Sequence, residues 1–236
     1  MISRREAVNE FYSLMSELER GCGGKRLLSQ CNKAGGWPDR GVYFFFENDE
    51  LREDGVSSRV VRVGTHGLRP SKTTLWGRLA QHKGNIGGSM PNGGNHRGSV
   101  FRLHLGSALL AAGDWPDTIG RSWAVGANAS KEVRQAEYPL EQNVSQRIGS
   151  MPFLWVGVDD EPSRLSDRGV IERGAIATLS NLGRDPIDSP SAGWLGRSSP
   201  NARIRESGLW NVNHVDEVAN TTWLDVLANW IGESTI

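Results

Sequence analysis

Two short segments of β-strand character, followed at once by an amphipathic helix, constrain this 236-residue chain more than any other part of it. Residues 41–47 carry Tyr43, Phe44, Phe45 and Phe46 in succession, and residues 59–64 alternate Arg59 and Arg62 with valines before ending at Gly64. Aromatic and β-branched side chains suit a pleated, half-buried surface, so the pair is predicted to be a hairpin with a long acidic connection. Thr73 and Thr74 then offer an N-cap for a helix running to about Lys83, with Leu75, Trp76 and Leu79 as its apolar face and Gly84 as its stop.

Elsewhere the helical period dominates. Val8, Phe11, Tyr12, Met15 and Leu18 predict a leading helix over residues 5–20, ended by Gly21, Gly23 and Gly24. Residues 130–148 read as a helix that Pro139 should break or kink, residues 167–182 as another, and residues 221–231 as a last amphipathic one. Residues 99–105 alternate Val100, Phe101, Leu103 and Leu105 with Arg102 and His104, which reads as a strand, and residues 153–158 read as a short buried strand. The expectation is an α+β protein with a small mixed or antiparallel sheet of about three to five strands, flanked by helices. One domain of residues 1–236 accommodates it, with a helical N-terminal extension (1–36), a core (41–182) interrupted by an insertion near 106–150, and a C-terminal extension (183–236).

Lys plus Arg and Asp plus Glu both number 27, so net charge is zero, which argues against a nonspecific polyanion binder. The charge is nevertheless patterned. From Arg59 to Arg102 every charged residue is basic, while acidic residues gather at 47–54 and 159–167. Cys22 and Cys31 lack the spacing of a structural zinc site or a disulfide framework, so free thiols in a reducing cytoplasm are expected. No leader-like apolar region follows the first residues and no stretch approaches the roughly 18 apolar residues of a spanning helix, so secretion and membrane insertion are not expected. Neither a Gly-x-Ser-x-Gly elbow nor a phosphate-binding P-loop motif is present.

Phosphodiester hydrolysis requires an activated water, neutralisation of charge on the phosphoryl oxygens and, commonly, a divalent cation on a carboxylate. Arg78 and His82 are four residues apart and share one helical face, and Glu172 is a carboxylate inside the mostly apolar run Val170–Ile176. The order of Gly41-Val42-Tyr43, Arg62-Val63-Gly64, Arg78-x-x-x-His82 and Glu172 resembles the GIY-YIG nucleases, and the Arg-x-x-x-His spacing is similar to that of their restriction-endonuclease members. The resemblance spans about residues 41–182. It implies a single Mg²⁺ or Mn²⁺ on Glu172, help from Tyr43 in activating water, phosphate stabilisation by Arg78 and assistance from His82. It departs at Arg62, which stands where the family usually has tyrosine; a cation there could contact the scissile phosphate. The family asparagine that follows the glutamate has Asn181 as its nearest candidate. DNA rather than RNA is the expected partner, with a symmetric homodimer if both strands of a palindrome are cut.

Each residue also has a plainer reading. Tyr43 could be core packing beside Phe44–Phe46, Arg78 a solvated cation, His82 a hydrogen-bonded histidine, and Glu172 a partner of Arg168 or Arg173. The Gly/Asn-rich stretch 84–98 offers backbone to phosphates, with Lys83 before it and His96 and Arg97 adding charge, or it is a long surface loop. His66, just after the second strand, either faces the same cleft or sits in a turn. Trp210 and His214, in the distinctive stretch 207–214, could touch DNA, but packing of a C-terminal layer is the favoured reading. A catalytically silent nucleic-acid-binding or adaptor protein and an RNA-directed nuclease are the alternative functions.

Overall fold

The computed structural model describes residues 2–85, 87–163 and 165–234; Ile86 of the Gly/Asn-rich stretch lies outside them. A four-stranded antiparallel sheet forms the centre, in the order β1 (Arg26–Leu27), β4 (Pro152–Gly157), β2 (Gly41–Leu51) and β3 (Ser58–Gly64). The predicted hairpin is β2 with β3, but its connection is short. Strand β2 continues through the acidic residues to Leu51, because Glu50 is buried against the guanidinium of Arg59 at 2.6 Å rather than left in solvent.

Strand alternation divides the core into two layers. Val42, Phe44, Val60, Leu154 and Val156 pack against α1 (Arg4–Gly21), α6 (Asp167–Leu179) and α8 (Thr222–Ser234). Tyr43, Phe45, Val61 and Phe153 pack against α2 (Leu75–Lys83), α3 (Val100–Ala112) and α5 (Lys131–Ser150). A register shift between Phe45 and Phe46 leaves Val61 as the extra residue of a bulge, so Val61 and Arg62 both reach the second layer.

Three expectations are corrected. Residues 99–105 form the start of α3 rather than a strand: the Ser99 hydroxyl caps the Arg102 N–H, and Phe101, Leu105 and Ala108 make a helical buried face. Pro139 sits inside α5, which runs unbroken from Lys131 to Ser150. The C-terminal tract holds a helix absent from the sequence reading, α7 (Ala202–Ser207), ended by Gly208 at φ +76°. A small helix, α4 (Asp117–Ser122), lies between α3 and α5.

The free edge of β3 is covered by the segment after α7. Trp210 donates its N–H to the Val61 carbonyl at 2.7 Å, and the Asn211 side chain takes both backbone groups of Val63, at 3.1 and 2.8 Å. That stretch therefore completes the strand which carries Arg62 and Gly64. No helix among the described residues is long and apolar enough to cross a membrane.

Candidate active site

Tyr43 lies near the start of β2, directly across from Gly64. A Cβ on residue 64 would stand 2.3 Å from the phenol oxygen, so glycine is what lets the ring lie over the strand. Gly41 is equally constrained, since a Cβ there would meet the Val156 carbonyl oxygen at 2.4 Å. The two motif glycines thus mark close approaches, one under the tyrosine and one against the neighbouring strand.

The Tyr43 hydroxyl is 2.8 Å from His82 Nε2, and His82 Nδ1 is 2.7 Å from the Ser99 hydroxyl. Both rings are sealed from solvent. Burial, with the guanidinium charges of Arg78, Arg62 and Arg102, holds His82 well below the usual histidine range. The imidazole is therefore neutral at neutral pH, and a neutral imidazole keeps one bare nitrogen able to accept a proton or a hydrogen bond.

Arg62 reaches the same place from β3. Its guanidinium lies 4.8 Å from the Phe101 ring centroid and donates to the Trp210 carbonyl at 2.6 Å, while Nε is buried without a partner among the described residues. Burial lowers its pKa; the Tyr43 phenol opposes that shift, Arg78 adds to it and Glu172 opposes it. Arg78 is half-buried on α2, donating to Gln81 Oε1 at 2.9 Å and to the Gly98 carbonyl at 3.2 Å.

Glu172 projects from α6 toward the end of β3, where its Oε1 accepts the Thr65 N–H at 3.1 Å. Burial pushes its carboxyl up, against the pull of Arg62, the Thr65 N–H, His214 and Arg78. The plainer expectation, an ion pair with Arg168 or Arg173, is not what forms: Arg168 pairs with Asp160 and Arg173 with Glu217. Tyr43, Arg62, Arg78, His82 and Glu172 thus share one electrostatic neighbourhood: burial dominates the shifts of Arg62, His82 and Glu172, and charges from the same group add to or oppose each of them.

No group of three or more His, Cys, Asp or Glu side chains that could cage a metal exists among the described residues. One carboxylate remains a fitting donor for a hard divalent ion, which commonly keeps several waters and takes substrate phosphate oxygens as its other ligands. A cation beside Glu172 would also relieve the burial that now disfavours its charge.

The other sequence candidates lie elsewhere or are held internally. His96 is buried: its Nδ1 and backbone N–H both bond Glu141 Oε1, at 2.9 and 2.7 Å, and its ring stacks on Trp123 at 3.7 Å. Arg97 makes a two-pronged pair with Glu137 at 2.7 and 2.9 Å. Lys83 donates to the carbonyls of Ser29 and Cys31. Asn181 ties Arg4 to Ile187. These four stabilise the scaffold, so the backbone contacts anticipated for the 83–98 region have no free cation at these positions. His66 differs, since its Nδ1 donates to the Thr73 carbonyl at 3.0 Å while its buried Nε2 has no partner among the described residues.

Three participants escaped the sequence reading. Ser99 orients His82, Asn211 rather than Asn181 fastens the second motif strand, and the Thr65 backbone orients Glu172. Trp210 packs as expected, fully buried beside Trp194 and Phe101. No curated protein and no solved structure matches the chain significantly. The family pattern described as the GIY-YIG domain does match, over residues 2–235, which takes in every residue of this constellation. With that span and this motif geometry, the chain belongs to the GIY-YIG family, whose domain implies a nuclease-type activity.

Proposed function

We propose that the chain is an endonuclease that hydrolyses DNA phosphodiester bonds with one Mg²⁺ or Mn²⁺ at Glu172, in a restriction or defence role. The carrying observation is the convergence of Tyr43, His82, Arg62, Arg78 and Glu172 from four separate elements. When bound, the ion supplies charge neutralisation at the phosphoryl group and favours loss of a proton from water. The protein's own groups do the rest. Neutral His82 accepts from the Tyr43 phenol and orients it, and Arg62 and Arg78 place positive charge where phosphoryl oxygens gain negative charge. Glu172 is turned by the Thr65 N–H, which leaves its second oxygen for a ligand.

Cleavage of supercoiled and linear DNA in Mg²⁺ or Mn²⁺ tests the reading, with RNA as a parallel substrate. Glu172→Ala should lose about 100-fold or more in rate. Wild-type protein that cuts no DNA in either metal would end the proposal, and a Glu172→Ala protein as active as wild type would remove the metal assignment. Preferred cutting of RNA would transfer the activity to an RNA-directed nuclease. A symmetric homodimer suits double-strand cutting, and sedimentation with and without DNA measures it. The free thiols of Cys22 and Cys31, both raised in pKa by burial, suit a reducing compartment such as the cytoplasm.

One observation favours a second reading, a catalytically silent nucleic-acid-binding or adaptor protein. Tyr43 has no solvent exposure and Arg62 occupies the place of the family's other phenol. Such a protein would bind DNA equally well with chelator present, whereas the enzyme should bind divalent metal more tightly with DNA.

A further inference from the structure

His214 stands outside the family motif, and three of its features bear on the candidate active site. Its backbone is left-handed, at φ +63°, as it is at Asn92, Ala124 and Asp188, a region that histidine enters more readily than most side chains. Its Nδ1 lies 2.8 Å from Glu217 Oε1, and no hydrogen bond is made by Nε2 among the described residues. It is also fixed on both sides of the candidate active site: Asn211, three residues before it, is bonded to Val63 of β3, and Glu217 is bonded to Arg173, the neighbour of Glu172 on α6.

Glu217 is the anchor of this arrangement. Its carboxyl is lowered first by the bond from Arg173 and also by His214, so it is ionised at neutral pH and can only accept. His214 Nδ1 must therefore carry hydrogen and donate to it. That fixes the ring and leaves Nε2 as the one nitrogen free to carry or take a proton. The charged groups around the ring are Glu217 and Asp216 on its own loop and Glu172 and Arg173 on α6. No hydrogen bond joins His214 to Glu172 among the described residues.

We infer that His214, clamped by Glu217, is the acid that protonates the leaving oxygen in phosphodiester cleavage at this site. The inference rests on the nuclease reading above. Water attacks phosphorus and gives its proton to the surrounding bases or solvent. The bond from phosphorus to one sugar oxygen breaks, and its electron pair goes to that oxygen, which takes the proton from His214 Nε2. The products are a phosphate monoester and a hydroxyl, and Nε2 regains its proton from water. Glu217 is a positioning residue in this scheme.

DNA carrying sulfur in place of the bridging oxygen, on the 3′ or the 5′ side of the cleaved phosphate, separates chemistry from folding, because a thiolate leaves without protonation. His214→Asn keeps the left-handed backbone, which asparagine tolerates. On all-oxygen DNA in Mn²⁺ it should lose about 100-fold in kcat with KM unchanged. On whichever sulfur substrate matches the broken bond it should return to within about threefold of wild type. Glu217→Gln should show a smaller loss with the same rescue. Equal rates for His214→Asn and wild type on all-oxygen DNA would overturn the inference, as would an equal loss on oxygen and sulfur substrates. If wild-type protein cuts neither substrate, the nuclease reading itself falls and this inference falls with it.

Discussion

At the scale of single residues, the site depends on Gly64 as much as on any polar group. Gly64→Ala would drive a methyl into the Tyr43 phenol, which is sealed from solvent in a close-packed interior. Displacing the ring breaks its bond to His82, so cleavage should fall by about 100-fold, as small misplacements in active sites do. Stability should fall by about 1–3 kcal/mol from overpacking, read from urea midpoints. Unchanged cleavage kinetics would show that the phenol has no part in the reaction. A second residue governs acid stability. His66 is buried, and burial, aided by Arg168, pulls its pKa down to about 4 from 6.5. Above about pH 6.5 neither state is protonated there, but between 6.5 and 4 the unfolded chain takes a proton that the folded chain refuses. Stability should therefore be complete above pH 6.5 and decline by about 3 kcal/mol toward pH 4. Urea titrations across that window measure it, and His66→Gln should flatten the slope. Tyr43, Arg78, His82 and Glu172 were legible because motif order and an i, i+4 spacing survive in one dimension. The partners of Arg62 were not, since Phe101 and Trp210 lie far along the chain and only the bulge at Val61 brings the guanidinium to them.

At the scale of elements, α3 and α5 show where sequence periodicity misleads. A short run of alternating apolar and polar residues fits a strand as well as the first turns of a helix, and what decided between them was a buried charge. Arg102 has no solvent exposure; it bonds Glu141 through Nε at 3.0 Å and through a terminal nitrogen at 2.5 Å, and it donates to the His82 carbonyl at 2.7 Å. One guanidinium thus joins α3 to α5 and finishes the last turn of α2, directly behind the histidine of the site. Burial alone would raise the Glu141 carboxyl, but His96 and Arg102 bring it below the ordinary value. Removing the carboxylate in Glu141→Ala would strand a buried cation, and stability should drop by about 3–5 kcal/mol in denaturant titrations. An Arg102→Leu, Glu141→Leu double variant should be less destabilised than Glu141→Ala alone; a larger loss would mean the helices depend on the pair's attraction rather than on its neutrality. The persistence of α5 through Pro139 belongs to the same account: the helix is fixed by buried Glu137, Leu140, Glu141 and Val144 on both sides of the proline. Hairpin, leading helix and final helix were readable because each has a long periodic face.

At the scale of the whole molecule, the sheet has two ends, and neither is left as a long bare strand. One is the two-residue β1, and the other is β3 under residues 210 and 211. Asn211→Ala would leave the Val63 N–H and carbonyl unpaired, at about 1–3 kcal/mol, and present β3 as a template for another chain. A lower unfolding midpoint together with concentration-dependent aggregation is the expected result, measured by light scattering during heating; a variant that stays monomeric and equally stable would show that the main-chain bond at Trp210 suffices. No spacing rule announced this contact, because a side-chain amide standing in for a strand leaves no alternation in the sequence. The Asn211 contact also sets an order of events during synthesis. The strand with Arg62 and Gly64 leaves the ribosome well before residue 211 does, so it must wait with one edge open while some 150 further residues are made. The strand edge beside the candidate site is therefore closed from the carboxyl-terminal side, once residue 211 has emerged.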